Sequence, residues 1–127
     1  MQNRTTLALA FAFGFFAVAI GAFGAHGLKP FMDAYQQSIF ETASRYHFYH
    51  SIALLAVAFL PNNSIAKYIS VCFVTGIILF SGSLYLLSLK TFLHIEHWKF
   101  LGPITPLGGL FFLAGWLLGL VQVFKNK

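Results

Sequence analysis

Apolar residues occur along the chain in long runs that short polar segments separate. The first uncharged run covers residues 7–25, and later runs cover residues 68–89 and 104–124. Each run is close to the ~20 residues that an α-helix needs to cross the hydrocarbon core of a bilayer. The pattern therefore predicts three transmembrane helices in these segments.

A fourth span is predicted over residues 41–60, where the apolar part is short. Only the last 15 residues of this segment form an uncharged run. Since ~20 residues are needed to cross the bilayer, the span must begin near Glu41. His47 and His50 then lie inside the bilayer boundary.

Polar side chains on this fourth span carry the candidate chemistry. Glu41 and Arg45 are four positions apart on one helix face and are predicted to form an ion pair near the interface. Tyr46 and His50 share a face by the same spacing. An ionisable side chain at membrane depth is costly, so His50 marks a candidate site. A proton relay, a haem ligand, a quinone contact and a neutral histidine bonded to a neighbouring helix all stay open.

The composition agrees with a membrane protein. Hydrophobic residues make up 58% of the chain and charged residues 9%, whereas a soluble domain has about 25% charged residues. We therefore predict an all-α, integral membrane four-helix bundle that forms one domain over residues 1–127. The net charge is +5, but the cations fall singly at the ends of apolar runs, so no nucleic-acid partner is predicted. The single cysteine, Cys72, excludes an internal disulfide bond.

Four spans place both chain ends and the turn at residues 61–64 on one side of the membrane, which we call side A. Residues 26–40, where Asp33 is predicted to cap the second helix, and residues 90–102 lie on side B. All five histidines and all three acidic residues fall on or nearest to side B. We therefore expect the site in the side B half and an almost featureless side A. Each side has four cations, and the N-terminal amine together with neutralisation of Arg45 favours cytoplasmic termini.

Small and hydroxylated residues mark expected helix contacts. Glycines at packing positions are Gly14, Gly21, Gly24, Gly108, Gly109, Gly115 and Gly119. Such residues let helix backbones approach closely in lipid, and we expect these contacts within the chain. The side B halves of the third and fourth spans also contain Ser81, Ser83, Tyr85 and Thr105, which either line a polar site or cross-link helices.

One loop carries metal-capable side chains, but their spacing does not fit a metal site. His94 and His97 lie three positions apart around Glu96, whereas the zinc pattern of a helix places its histidines four apart. The sequence predicts no metal ion and no cofactor.

Five short motifs occur in order along nearly the whole chain. They are Gly21–His26, Tyr46 with His50, Ser81–Tyr85, Thr105–Gly109 and Gly115-Trp116. In this order they resemble the domain of unknown function 423 family, the YgdD/YwdK type of small membrane proteins. The resemblance implies a four-span protein of the bacterial plasma membrane. It implies no activity, substrate or cofactor, and it marks His26 and Trp116 beside the candidates above.

The sequence contains no nucleophile with a positioned base and acid, so the first functional hypothesis is a non-enzymatic accessory or interaction subunit. Its partners would be the lipid bilayer and either another membrane protein or further copies of itself. The alternative is a ligand- or proton-handling protein with a polar site around His26, Tyr46 and His50, where His26 and His50 either approach each other or share a polar cavity that opens to side B. A third hypothesis is a redox subunit in which those two histidines ligate a haem.

Overall fold

The computed structural model describes residues 3–125, so the predicted side A cation Lys127 lies outside the described residues. Four long helices make up the fold: α1 (Arg4–His26), α2 (Ala34–Val57), α3 (Ser64–Ser88) and α4 (Leu101–Lys125). The middle of α3, Ile77–Ser81, is a π-helix, which the sequence analysis did not predict. A 3₁₀ turn, Lys29–Phe31, precedes α2.

The second helix begins well before the predicted span. Asp33 caps α2: its side chain accepts a hydrogen bond from Gln36 N at 2.7 Å, and Asp33 N donates to Gln36 Oε1 at 3.0 Å. This capping box confirms Asp33 as the N-cap, because it satisfies two backbone donors that a helix start leaves free. Residues 34–41 therefore belong to the helix and lengthen it towards side B.

Three of the four helices are long and apolar enough to cross a membrane: α1, α3 and α4. With 24 residues, α2 reaches about 36 Å at ~1.5 Å per residue, but its composition is more polar. The all-α, membrane-embedded fold class is confirmed, and the crossing of the bilayer by residues 41–60 stays a prediction.

Hydrogen bonds between helix ends show that consecutive helices run antiparallel. The three bonds are Asn3 N to Ala58 O (3.1 Å), Gln36 Nε2 to Thr91 Oγ1 (3.2 Å) and Asn63 Nδ2 to Gln122 Oε1 (3.3 Å). Helix α1 packs along α2, α4 packs along α3, and α2 contacts α3. The starts of α1 and α3 and the end of α4 thus share side A.

All four helices contribute to one apolar core. Its buried members are Ala10, Leu54, Val57, Ile69, Phe73, Ile77 and Phe112. Polar bonds flank this core on side A, where Thr6 Oγ1 lies 3.0 Å from Ser70 Oγ in a buried contact. The expectation of an almost featureless side A is therefore wrong, because hydroxyl and amide side chains also link helices there.

The predicted packing glycines divide into two groups. A Cβ atom on Gly108 would collide with the Phe80 backbone, one on Gly24 with the Phe40 ring, and one on Gly115 would lie 2.6 Å from the Phe73 ring. A Cβ atom on Gly21 would lie 2.9 Å from Ser44 Oγ, while one on Gly109 would make only ordinary contact with Phe80. A Cβ atom on Gly14 or Gly119 would meet no atom within 4 Å. These last two glycines face outward and do not pack inside the bundle.

Candidate functional site

His50 is buried where α2, α3 and α4 meet, with 4% of its surface exposed. Its Nδ1 lies 2.7 Å from Tyr46 O, and Trp116 Nε1 donates to its Nε2 at 3.1 Å. An indole N–H can only donate, so Nε2 must accept and the proton must lie on Nδ1. The two bonds therefore assign a neutral imidazole in one tautomer.

Aromatic rings enclose this imidazole. The Phe112 ring stacks on His50 with a centroid distance of 3.5 Å and an interplanar angle of 10°. Tyr46 stacks at 6.1 Å, and Phe73 meets the imidazole edge-on at 5.3 Å. Tyr46 itself is exposed on the outer side of α2. We call these residues with Phe80 and Trp116 the aromatic cluster, and His50 is buried beside it.

A second buried histidine pairs with a tyrosine. His47 Nδ1 lies 3.0 Å from the Tyr85 hydroxyl, which joins α2 to α3. Among the described residues, His47 Nε2 has no hydrogen-bond partner although it is fully buried. The nearby Phe13 backbone carbonyl interacts with the imidazole. The sequence analysis placed His47 in the bilayer but left it out of the site, because nothing in the chain pairs it with Tyr85 before the helices are packed.

The serine and threonine candidates separate into two environments. Ser83 Oγ lies 2.6 Å from Thr105 Oγ1 and joins α3 to α4, while Thr105 Oγ1 also donates to Leu101 O at 3.3 Å. Ser81 is completely buried at the end of the π-helix, and its hydroxyl has no partner among the described residues. Ser83 and Thr105 thus form a helix cross-link, whereas Ser81 lies one turn from Tyr85 on the same face.

The structure does not bring His26 to the other candidates. His26 is exposed at the end of α1, where its Nδ1 lies 3.1 Å from Ala22 O. His50 is buried and both of its ring nitrogens are hydrogen-bonded. The expected approach of His26 to His50 is therefore not found. This arrangement does not fit haem ligation, because an iron ligand needs a free ring nitrogen.

Glu41 and Arg45 contact each other through a backbone hydrogen bond and not through the predicted ion pair. Arg45 Nε donates to the backbone carbonyl of Glu41 at 3.4 Å, and no salt bridge involves either residue in the described part of the chain. The guanidinium thus extends towards side B, in the direction in which helix side chains point. Over residues 3–125, no group of three histidine, cysteine or acidic side chains is arranged to hold a metal ion.

Open space lies along two outer seams of the bundle. The α2–α4 groove, of about 460 Å³, is lined among others by Ala53, Ala56, Gly115, Gly119 and Leu120 over a floor of α3 residues. The α1–α2 groove contains an apolar cavity of about 640 Å³ beside Gly14 and Phe48. Both grooves face the surroundings of the bundle.

The matching family model, described as protein of unknown function (DUF423), covers residues 20–109. The chain belongs to the DUF423 family. This stretch contains the His50, His47 and Tyr85 contacts and ends at Gly109, so Trp116, the partner of His50, lies beyond it.

Bacterial membrane proteins named UPF0382 match the chain over most of its length. The chain is 40% identical to the UPF0382 inner membrane protein YgdD of Escherichia coli K12, over 100% of this chain and 95% of YgdD. A UPF0382 membrane protein of Haemophilus influenzae is also 40% identical, over 100% of this chain and 98% of its own length. The UPF0382 membrane protein SSP2132 of Staphylococcus saprophyticus is 38% identical, over 86% of this chain and 88% of its own length. No solved structure gives a significant match. The chain is therefore an integral protein of the bacterial plasma membrane.

Proposed function

We propose that this DUF423 protein is a non-catalytic membrane subunit that binds a transmembrane helix of a partner protein in its α2–α4 groove. The observation that carries this proposal is the contrast between polar side chains that pair across helices inside the bundle and open apolar space outside it. A subunit of this kind acts through its lipid-facing surface.

The interior polar groups favour a structural role. The pairs His50–Trp116, His47–Tyr85, Ser83–Thr105, Thr6–Ser70 and Asn63–Gln122 each join two helices. In lipid, such bonds hold helices together, because an unpaired polar group has no water to bond. The acceptor nitrogen of His50 already accepts a hydrogen bond from the Trp116 indole, which favours a structural role for this imidazole.

The α2–α4 groove has the features of a helix-binding surface. Ala53 and Ala56 of α2 face Gly119 of α4 across it, and a Cβ atom on Gly119 would meet no neighbour within 4 Å. Small residues at a helix surface let a second helix approach closely, which is the main source of helix association in lipid. Among residues 3–125, no charged side chain lines the groove, so an apolar transmembrane helix suits it.

The proposal can be tested by photo-crosslinking in the bacterial membrane. A photoreactive amino acid at Leu120, on the groove, should give a discrete protein adduct. The same amino acid at Leu113, which is exposed on α4 but does not line the groove, is the matched control and should give lipid adducts only. Equal protein adducts at both positions, or none at Leu120, would contradict the proposal.

A second candidate function rests on Ser81 Oγ, which is buried and has no hydrogen-bond partner among the described residues. A buried polar atom without a partner costs about 1–3 kcal/mol, so a small hydrogen-bonding ligand beside Tyr85 would lower the free energy of the folded state. Solvent extraction of natively purified protein, followed by mass spectrometry, should then release a stoichiometric small molecule. It should be lost in Tyr85→Phe and kept in Tyr35→Phe, whose hydroxyl is exposed. Native protein that releases none would rule this candidate out.

A further inference from the structure

The seam between α1 and α2 is one continuous groove with an apolar end and a charged end. Three adjoining cavities form it: the apolar one shares Val18 and Phe48 with the next, which in turn shares Gly21 and Ser44 with the last. The α2 residues that line it begin at Gln37 and end at Leu55, and they recur every three to four positions. They therefore form one stripe along the helix.

The part of this groove from Glu41, its outermost charged residue on α2, to its apolar end at Leu55 matches one leaflet of a bilayer. Glu41 and Leu55 are 14 positions apart on α2, which at ~1.5 Å per residue is about 21 Å. A bilayer is about 40–45 Å thick with its headgroup regions, so one leaflet is about half of that. The groove thus extends from the headgroup region of side B to the bilayer centre.

Charge distinguishes the side B end of the groove. Lys29, Arg45 and Glu41 line this end, which gives two cations against one carboxylate. The described residues form no salt bridge with Arg45, and the guanidinium donates only to Glu41 O, through Nε. Its two terminal nitrogens are therefore free to donate, and a phosphate oxygen pair is the acceptor that a guanidinium fork matches best.

The opposite end of the groove is apolar. Phe11, Phe15 and Val18 of α1 are 60–68% exposed there, and a Cβ atom on Gly14 would have open space. This surface suits an acyl chain that lies along the helices.

We propose that the α1–α2 groove is a binding site for one anionic phospholipid of the side B leaflet, with the phosphate at Arg45 and an acyl chain along Gly14 and Phe48. This site is separate from the α2–α4 groove, and the proposal stands whether or not a partner helix binds there. The acyl chain supplies apolar contact for any phospholipid. The excess positive charge supplies the preference for an anionic headgroup.

Native mass spectrometry of the full chain in mild detergent tests this site. The probes are phosphatidylglycerol, which is anionic, and phosphatidylcholine with the same acyl chains. The wild type should bind one phosphatidylglycerol more tightly than phosphatidylcholine. Arg45→Gln should lower the affinity for phosphatidylglycerol about fivefold, which corresponds to about 1 kcal/mol for one cation at the membrane surface. The matched control Lys90→Gln, a side B cation that does not line the groove, should change neither lipid.

A second pair of variants tests the apolar end. Gly14→Leu should fill the groove and weaken the binding of both phospholipids. Gly119 is an equally open glycine on α4, and Gly119→Leu should leave the binding of both phospholipids unchanged. The thermal unfolding temperature in detergent should match the wild type in all four variants, because each substituted position is exposed or has open space beside it. Excess inorganic phosphate should not displace the lipid. The proposal would be overturned by any one of three results. These are equal affinity of the wild type for the two lipids, unchanged lipid binding in Arg45→Gln or Gly14→Leu, and displacement of the lipid by phosphate.

Discussion

The α3–α4 interface and the outer grooves both contain glycines, but the space beside these glycines differs. At the interface, Gly108 lies against the Phe80 backbone and Gly115 against the Phe73 ring. In the grooves, a Cβ atom added to Gly14 or Gly119 would meet no packed atom of the described residues within 4 Å. Internal packing therefore differs from a free binding surface by the presence of an aromatic residue in the space beside the glycine. The spacing of the glycines does not distinguish the two.

The largest effect is expected at the interface. Gly108→Ala places a methyl group on the Phe80 backbone, which cannot move aside as a flexible side chain would. We expect a loss of about 3 kcal/mol in the free energy of unfolding, at the upper end of typical overpacking costs. Denaturant titration in mixed micelles measures it. Gly109→Ala is the matched control on the same helix, and an equal loss there would contradict the account of the interface.

A smaller loss is expected when the buried imidazole loses its donor. Trp116→Phe leaves His50 Nε2 without a partner in an apolar cluster, which should cost about 1–2 kcal/mol. Trp98→Phe, a change in the side B loop, serves as the control. The same unfolding measurement applies, and an unchanged Trp116→Phe variant would show that the bond does not hold α2 to α4.

The hydroxyl cross-link should contribute less. Double-mutant cycles in membrane proteins average about 0.6 kcal/mol for such bonds, so we expect a coupling energy near that value between Ser83→Ala and Thr105→Ala. Their oxygens are 2.6 Å apart in the structure. A coupling energy of zero would mean that Ser83 bonds only within its own helix, to Phe80 O.

The smallest effect on stability is expected in the α1–α2 groove, where Gly14→Ala adds a methyl group in open space. Alanine favours a helix over glycine by up to about 1 kcal/mol, so the free energy of unfolding should stay equal or rise slightly. A clear loss of stability would show that Gly14 packs inside the folded protein, and the contrast with Gly108 would fail.

Local features of the fold were accessible from the sequence, because they depend on neighbours along the chain. Asp33 and Gln36 cap α2 through side chains three positions apart, and the long apolar runs of α1, α3 and α4 satisfy the length that a bilayer requires. The π-helix Ile77–Ser81 has no comparable local signal, since its sequence reads as an ordinary apolar run.

The site depended on tertiary contacts, and the sequence analysis resolved it only in part. Tyr46 and His50 were correctly placed on one face of α2, but the partner of His50 proved to be Trp116 and not His26. His47 was left aside, although it pairs with Tyr85, 38 residues away. Hydropathy gives the depth of such a residue in the membrane, whereas the direction in which it points follows only from how the helices pack.

The central claim is that the interior holds the bundle together while the α2–α4 groove binds a partner helix. The most direct test is photo-crosslinking at Leu120 in a Gly119→Leu background, combined with unfolding of the same variant. We predict that the protein adduct disappears while the free energy of unfolding stays within about 0.5 kcal/mol of the wild type. An adduct that persists at full yield in the stably folded variant would contradict the claim.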